Sequence, residues 1–92
     1  MSERKIKWVI SECSEEQKWD AETESNQALD SQQTERAISE HIKSHFDDKY
    51  GSNWHCIVGK NFASFVSYNI RNYLFFYIGS LAILIYKLEF ND

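Results

Sequence analysis

His41 and His45 stand four residues apart, so on a helix both project from one face and could approach a common metal ion, with Asp47 or Asp48 nearby. A zinc-protease helix would carry a glutamate directly after its first histidine. Here Ile42 follows His41, and no second cluster supplies further ligands, so an ordinary structural role is expected for both imidazoles. The adjacent pair His55 and Cys56 suggests a base beside a nucleophile. Neighbouring residues of a strand point to opposite faces, however, which separates this thiol from this imidazole. Cys56 is then expected as a small core residue, and His55 as an interface or core group. Glu15 and Glu16, Glu22 and Glu24, and Asp47 and Asp48 lie in polar surroundings, where a solvated helical face is the default. No catalytic residue, metal or cofactor is assigned, and the chain is not expected to be an enzyme.

The elements that must carry these side chains are legible in outline. Ile6, Trp8 and Ile10 alternate with Lys7 and Val9 as a short strand would, all three on one face. Ser14 and Gln17 have capping-box spacing, which starts a helix at about Glu15. The apolar stripe of that helix is thin, with Trp19, Ala28 and Leu29 its clearly apolar members. A second helix is better marked: Ile38, Ile42 and Phe46 recur every four residues, with Ala37 and Tyr50 near them and Glu40, Lys43, Ser44 and Asp48 opposite. Gly51 tolerates the left-handed conformation common after a helix and ends it. Residues 54–58, 62–68, 73–78 and 81–87 then read as four strands rich in aromatic and branched side chains, with Gly79 and Ser80 as a two-residue hairpin turn. A membrane-spanning helix over residues 73–86 is the competing reading and is not expected, because spanning needs about twenty apolar residues and this run stops well short at Lys87.

On strand 73–78, Tyr73, Phe75 and Tyr77 share one face, and Leu74, Phe76 and Ile78 share the other. One set can pack on the helices. The other is expected to need a partner chain or a peptide to cover it, since monomers rarely expose a contiguous apolar patch of several hundred Å².

Size and charge narrow the class. Ninety-two residues make one domain, 1–92, small enough to gain from oligomerisation. A net charge of −4 offers no basic surface for nucleic acid. Two cysteines without an apolar leader segment suggest a reducing compartment and free thiols.

From Arg4 and Lys5, through Ser14, Glu15 and Glu16, Gln27 to Leu29, His41 to Lys43, Phe46 and Asp47, and Lys49 and Tyr50, to the run Trp54-His55-Cys56-Ile57-Val58-Gly59-Lys60-Asn61-Phe62, this sequence closely resembles the eight-kilodalton dynein light chain family. The likeness continues through Phe76 and Tyr77, Gly79, Ala82 to Leu84 and Lys87. The resemblance implies an α+β fold: two helices on an antiparallel five-stranded sheet, in a homodimer with an exchanged strand. It also implies a non-catalytic hub that takes extended partner peptides as added strands in two parallel grooves. Carried over by position, Asn61, Phe62, Ala63, Ser64, Phe65, Val66, Ser67 and Tyr68 would form the pairing edge, and Tyr73, Phe75 and Tyr77 the groove floor. Glu35 and Arg36, at the start of the second helix, would meet a central glutamine of the peptide. His55, Phe62, Ser64, Val66 and Ser67 would lie at the dimer interface. The implied partners are a dynein intermediate chain and other proteins with Thr-Gln-Thr-like segments, in the cytoplasm on the cytoskeleton. The alternative is a diverged dimerising scaffold outside the dynein motor. Ala63, Phe65, Ser67 and Tyr68 stand where the family usually has glycine, tyrosine, threonine and histidine, so an altered peptide preference is expected.

Overall fold

In a computed structural model, which describes residues 4–51, 53–60 and 73–87, the chain runs β1 (Ile6–Glu12), α1 (Glu15–Ser31), α2 (Glu35–Tyr50), β2 (Trp54–Gly59), β3 (Tyr73–Ile78) and β4 (Leu81–Lys87). The four strands among the described residues form one antiparallel sheet in the order β1-β3-β4-β2. The expected fifth strand, residues 62–68, lies outside the described residues. Residues 73–86 fold as strand, turn and strand, not as a helix. No helix among the described residues is long and apolar enough to cross a membrane.

Both helices cover one face of the sheet. Ala21 and Ala28 from α1 and Ile38, Ile42 and Phe46 from α2 are buried against Trp54, Leu74, Phe76, Ile78, Ile83 and Ile85. Phe46 is central: its ring lies 4.9 Å from that of Trp54 and 5.3 Å from that of Tyr50. The opposite face carries a second cluster of Tyr73, Phe75, Ala82 and Leu84, with Ile10, Tyr77 and Tyr86 packed against it. The strict alternation of β3 and β4 accounts for both clusters.

β1 departs from the expected pattern. Trp8 pairs with Phe76 and Ile10 with Phe75, which leaves Val9 as an extra residue in a bulge. One inserted residue reverses the alternation, so Ile6 and Trp8 join the helix-side core while Ile10 joins the other face.

The capping box at α1 is complete: Ser14 Oγ accepts from the Gln17 amide and Gln17 Oε1 accepts from the Ser14 amide, both at 3.1 Å. The stripe predicted for this helix is corrected. Gln17, Asp20, Ala21, Ser25 and Ala28 are its buried residues, and Trp19 is 64% exposed. Nine residues separate Trp19 from Ala28, about two and a half turns, so the two lie on opposite sides of the helix.

At the far end of α2, Gly51 takes φ +92° and turns the chain toward β2. Two side chains secure that turn. Asp47 Oδ1 accepts from the Trp54 amide at 3.1 Å, and Lys87 Nζ donates to the Tyr50 carbonyl at 3.1 Å, satisfying an acceptor at the helix end. Gly79, at φ +60°, is the first turn residue between paired Ile78 and Leu81.

Candidate functional site

The polar residues singled out in the helices form a ladder between them. Glu16, Asp20 and Glu24 repeat every four residues on α1 and meet Lys49, His45 and His41 on antiparallel α2. Lys49 Nζ lies 3.1 Å from Glu16 and 2.8 Å from Asp20, and the Tyr50 hydroxyl also donates to Asp20. His45 sits between carboxylates, with Nε2 3.7 Å from Asp20 and Nδ1 3.6 Å from Glu24, while His41 Nε2 is 3.0 Å from Glu24 Oε1. Glu16 and Glu24 therefore do not sit on a purely solvated face as expected, because each is matched in register by a cation or imidazole of the facing helix. Asp47 departs from that expectation too, since it is engaged by Lys43 as well as by the Trp54 amide. Among the described residues, no group of three or more His, Cys, Asp and Glu is placed to hold a metal ion.

Burial pushes the Asp20 carboxyl up, but hydrogen bonds from Lys49 and Tyr50 outweigh it and hold the group below its ordinary 3.8. At Asp47 burial also acts upward, and Lys43 with the Trp54 amide again wins, for a net lowering. Stabilisation from a carboxyl lowered in the folded state is complete above its ordinary value and is lost as pH falls through the lowered one. Thermal stability is accordingly expected to decline from about pH 4 downward. Asp47→Asn should flatten that decline, as circular dichroism melts across the acid range would show.

His55 and Cys56 take opposite faces, as their adjacency in β2 requires. Cys56 packs against the helix-side core, and burial pushes its thiol well up, away from the reactive thiolate. His55 stacks on Tyr86 on the other face, with ring centroids 5.3 Å apart. Cys13 is also free, its thiol raised by burial to about 11.

The sheet has two edges of different character. β1 is blunted by the Val9 bulge and by Lys5, Lys7 and Glu12 on or beside it. β2, Trp54–Gly59, pairs with β4 in unbroken register and carries neither a fully charged side chain nor a bulge. No strand among the described residues lies on its other side. Ile57, opposite Leu84 on the helix-free face, is 45% exposed. An uncharged, unbulged edge beside an exposed isoleucine is the form that another strand extends. Ile57 was not singled out in the sequence; its alternation with Trp54, Cys56 and Val58 is the signal that identifies it.

Tyr73, Phe75 and Tyr77, which the resemblance implies as a groove floor, lie on the helix-free face. Tyr73 and Phe75 are nevertheless 4% and 3% exposed within the single chain, so neither needs a partner to cover it. Tyr77 and Tyr86, packed at the margin of their cluster, are half-buried.

Glu35 and Arg36 open α2 behind the N-cap Thr34, whose hydroxyl accepts from the Ala37 amide at 3.1 Å. The Ile38 amide bonds the Thr34 carbonyl, which leaves the amides of Glu35 and Arg36 without a partner among the described residues. The Arg36 guanidinium turns along its own helix to Glu40, at 3.2 Å. Asn61, Phe62, Ala63, Ser64, Phe65, Val66, Ser67 and Tyr68 lie outside the described residues.

A family model described as dynein light chain type 1 matches residues 5–88. Among solved structures, the dynein light chain-like domain of Fasciola hepatica calcium binding protein FhCaBP2 superposes with a TM-score of 0.78 at 16% identity, covering 94% of this chain and 93% of that one. A mercury derivative of that domain gives 0.73 at 18% identity, over 92% and 93% of the two chains. The DLC-like domain of CsTAL3 gives 0.75 at 20% identity, over 89% and 90%. At these identities the likeness shows a shared fold.

Proposed function

Because the chain belongs to the dynein light chain type 1 family across residues 5–88, we propose that it is a non-catalytic, homodimeric adaptor that receives extended peptide segments from partner proteins as added strands. The observation that carries this reading is the uncharged, unbulged edge of β2, which no other strand among the described residues pairs, beside exposed Ile57. Residues 62–68 of a second copy would pair with the amides and carbonyls of that edge that no described strand engages. The outer side of the exchanged strand would in turn pair with a peptide, giving main-chain hydrogen bonds for affinity and alternating pockets for selectivity. The amides of Glu35 and Arg36, without a partner among the described residues, suit the side-chain oxygen of a glutamine in that peptide.

Two sites on one dimer hold two partner chains side by side. Once one peptide of a paired partner is bound, the second binds intramolecularly, at an effective concentration that reaches roughly millimolar for short linkers. The partners of this reading are a dynein intermediate chain and other proteins with Thr-Gln-Thr-like or altered segments, on the cytoskeleton in the cytoplasm. Nucleic acid and membrane are not among them. A second reading, a dimerising scaffold outside the motor, is favoured by one finding: a domain of this fold occurs in the Fasciola hepatica calcium binding protein FhCaBP2.

Addition of a Thr-Gln-Thr peptide is expected to shift amide resonances of residues 62–68 and of Glu35 and Arg36. Shifts confined to α1 would overturn the strand-addition reading. Binding of that peptide without capture of an intermediate-chain segment would favour the scaffold over the motor subunit.

A further inference from the structure

Trp19 is out of place as a structural residue. It projects 64% exposed from the side of α1 opposite buried Ala28, so it contributes little to the core. Its helical neighbours are Glu15 and Glu16 one turn before and Glu22 one turn after. Glu22 is held by the Trp8 indole N–H at 2.6 Å, and Lys18, the single cation of α1, is drawn over the Trp8 ring, 5.2 Å from its centroid. Glu16 gives one oxygen to Lys49, and its side chain is still 63% exposed. Glu15 and Glu16 favour the positive end of the helix, which explains the carboxylates but not the tryptophan between them and Glu22.

From this arrangement we infer that Trp19, with Glu15 and Glu16, forms a docking patch for a lysine- or arginine-rich segment of another protein, separate from the β2 edge. Tryptophan is the side chain whose face best attracts an ammonium or guanidinium, and the flanking carboxylates add attraction of the same sign. An apolar partner would have to strip water from those carboxylates without replacing it. A second copy meeting this patch across a two-fold axis would set carboxylates against carboxylates. A nucleic acid is repelled for the same reason. The cationic segment is the occupant whose charge fits.

A fluorescein-labelled Arg-Ser repeat peptide tests the patch by fluorescence anisotropy, with a Glu-Ser repeat peptide as control. Binding is expected for the first peptide only, with a shift in the Trp19 indole N–H resonance and not in those of Trp8 or Trp54. Trp19→Ala should weaken binding by about tenfold or more, Trp19→Phe by less, and Glu15→Gln with Glu16→Gln should lower both affinity and its salt dependence. Circular dichroism should find all variants folded, since Trp19 is exposed. No binding by the unaltered chain, equal binding by Trp19→Ala, equal binding of the acidic peptide, or a response at Trp54 instead would each overturn the proposal.

Discussion

Ile57→Asp is expected to give a folded chain that no longer dimerises. Ile57 is 45% exposed in the single chain, so aspartate there meets water and costs the isolated fold little. In the proposed dimer the same position lies beside the edge that the exchanged strand extends. A carboxylate would then be buried twice, once from each copy, because a two-fold interface repeats every substitution. Even a neutral unpaired polar group costs about 1 to 3 kcal/mol on burial in proteins, and a charge costs more. Over two copies a loss of about 3 kcal/mol or more follows, which is at least roughly a hundredfold in the dimer constant. Sedimentation velocity measures that shift, and circular dichroism reports whether the chain stays folded. Lys5→Asp on the already charged and bulged β1 edge is the matched control, expected to leave assembly unchanged.

The largest effect on stability is expected from Phe46→Ala. Phe46 is fully buried and packs its ring against Tyr50 and Trp54, holding the end of α2 to the start of β2. Emptying such a site typically costs about 3 to 5 kcal/mol, the lost burial plus the cavity left behind. Against a total of roughly 5 to 15 kcal/mol for a domain, that is a large fraction of the whole. Thermal melts at one fixed protein concentration should show a drop of roughly 10 °C or more, the concentration held because the proposed dimerisation would be linked to folding. Phe46→Leu should recover part of the loss. A variant that melts within about 2 °C of the unaltered chain would contradict this placement of Phe46.

Local rules carried much of the fold. The Ser14 and Gln17 capping box, the Ile38, Ile42 and Phe46 stripe, and the Gly79 turn each depend on residues close in sequence, and each stands where the pattern put it. The bulge at Val9 did not show, because alternation of Ile6, Trp8 and Ile10 looks the same until pairing with β3 reveals the extra residue. Trp19 misled for a related reason: in a helix with few apolar residues, hydrophobicity alone favoured it, while the buried face is made of Ala21, Ser25 and Ala28 with Gln17 and Asp20. The ladder of Glu16, Asp20 and Glu24 against Lys49, His45 and His41 was present as two four-residue repeats. Reading it required knowing that the helices run antiparallel at that register. Of the residues that the resemblance implies for the site, Glu35 and Arg36 open α2, His55 lies in β2, and Tyr73, Phe75 and Tyr77 share the helix-free face of β3, while their roles rest on the proposal. The burial of Tyr73 and Phe75 depends on tertiary packing that periodicity does not contain.

The central claim is that two copies pair through the β2 edge and present two peptide sites. Native mass spectrometry of the unaltered chain with an excess of a Thr-Gln-Thr peptide tests it most directly. The expected species contains two chains of 10.9 kDa and two peptides. A single 10.9 kDa chain, with or without one peptide, would contradict it.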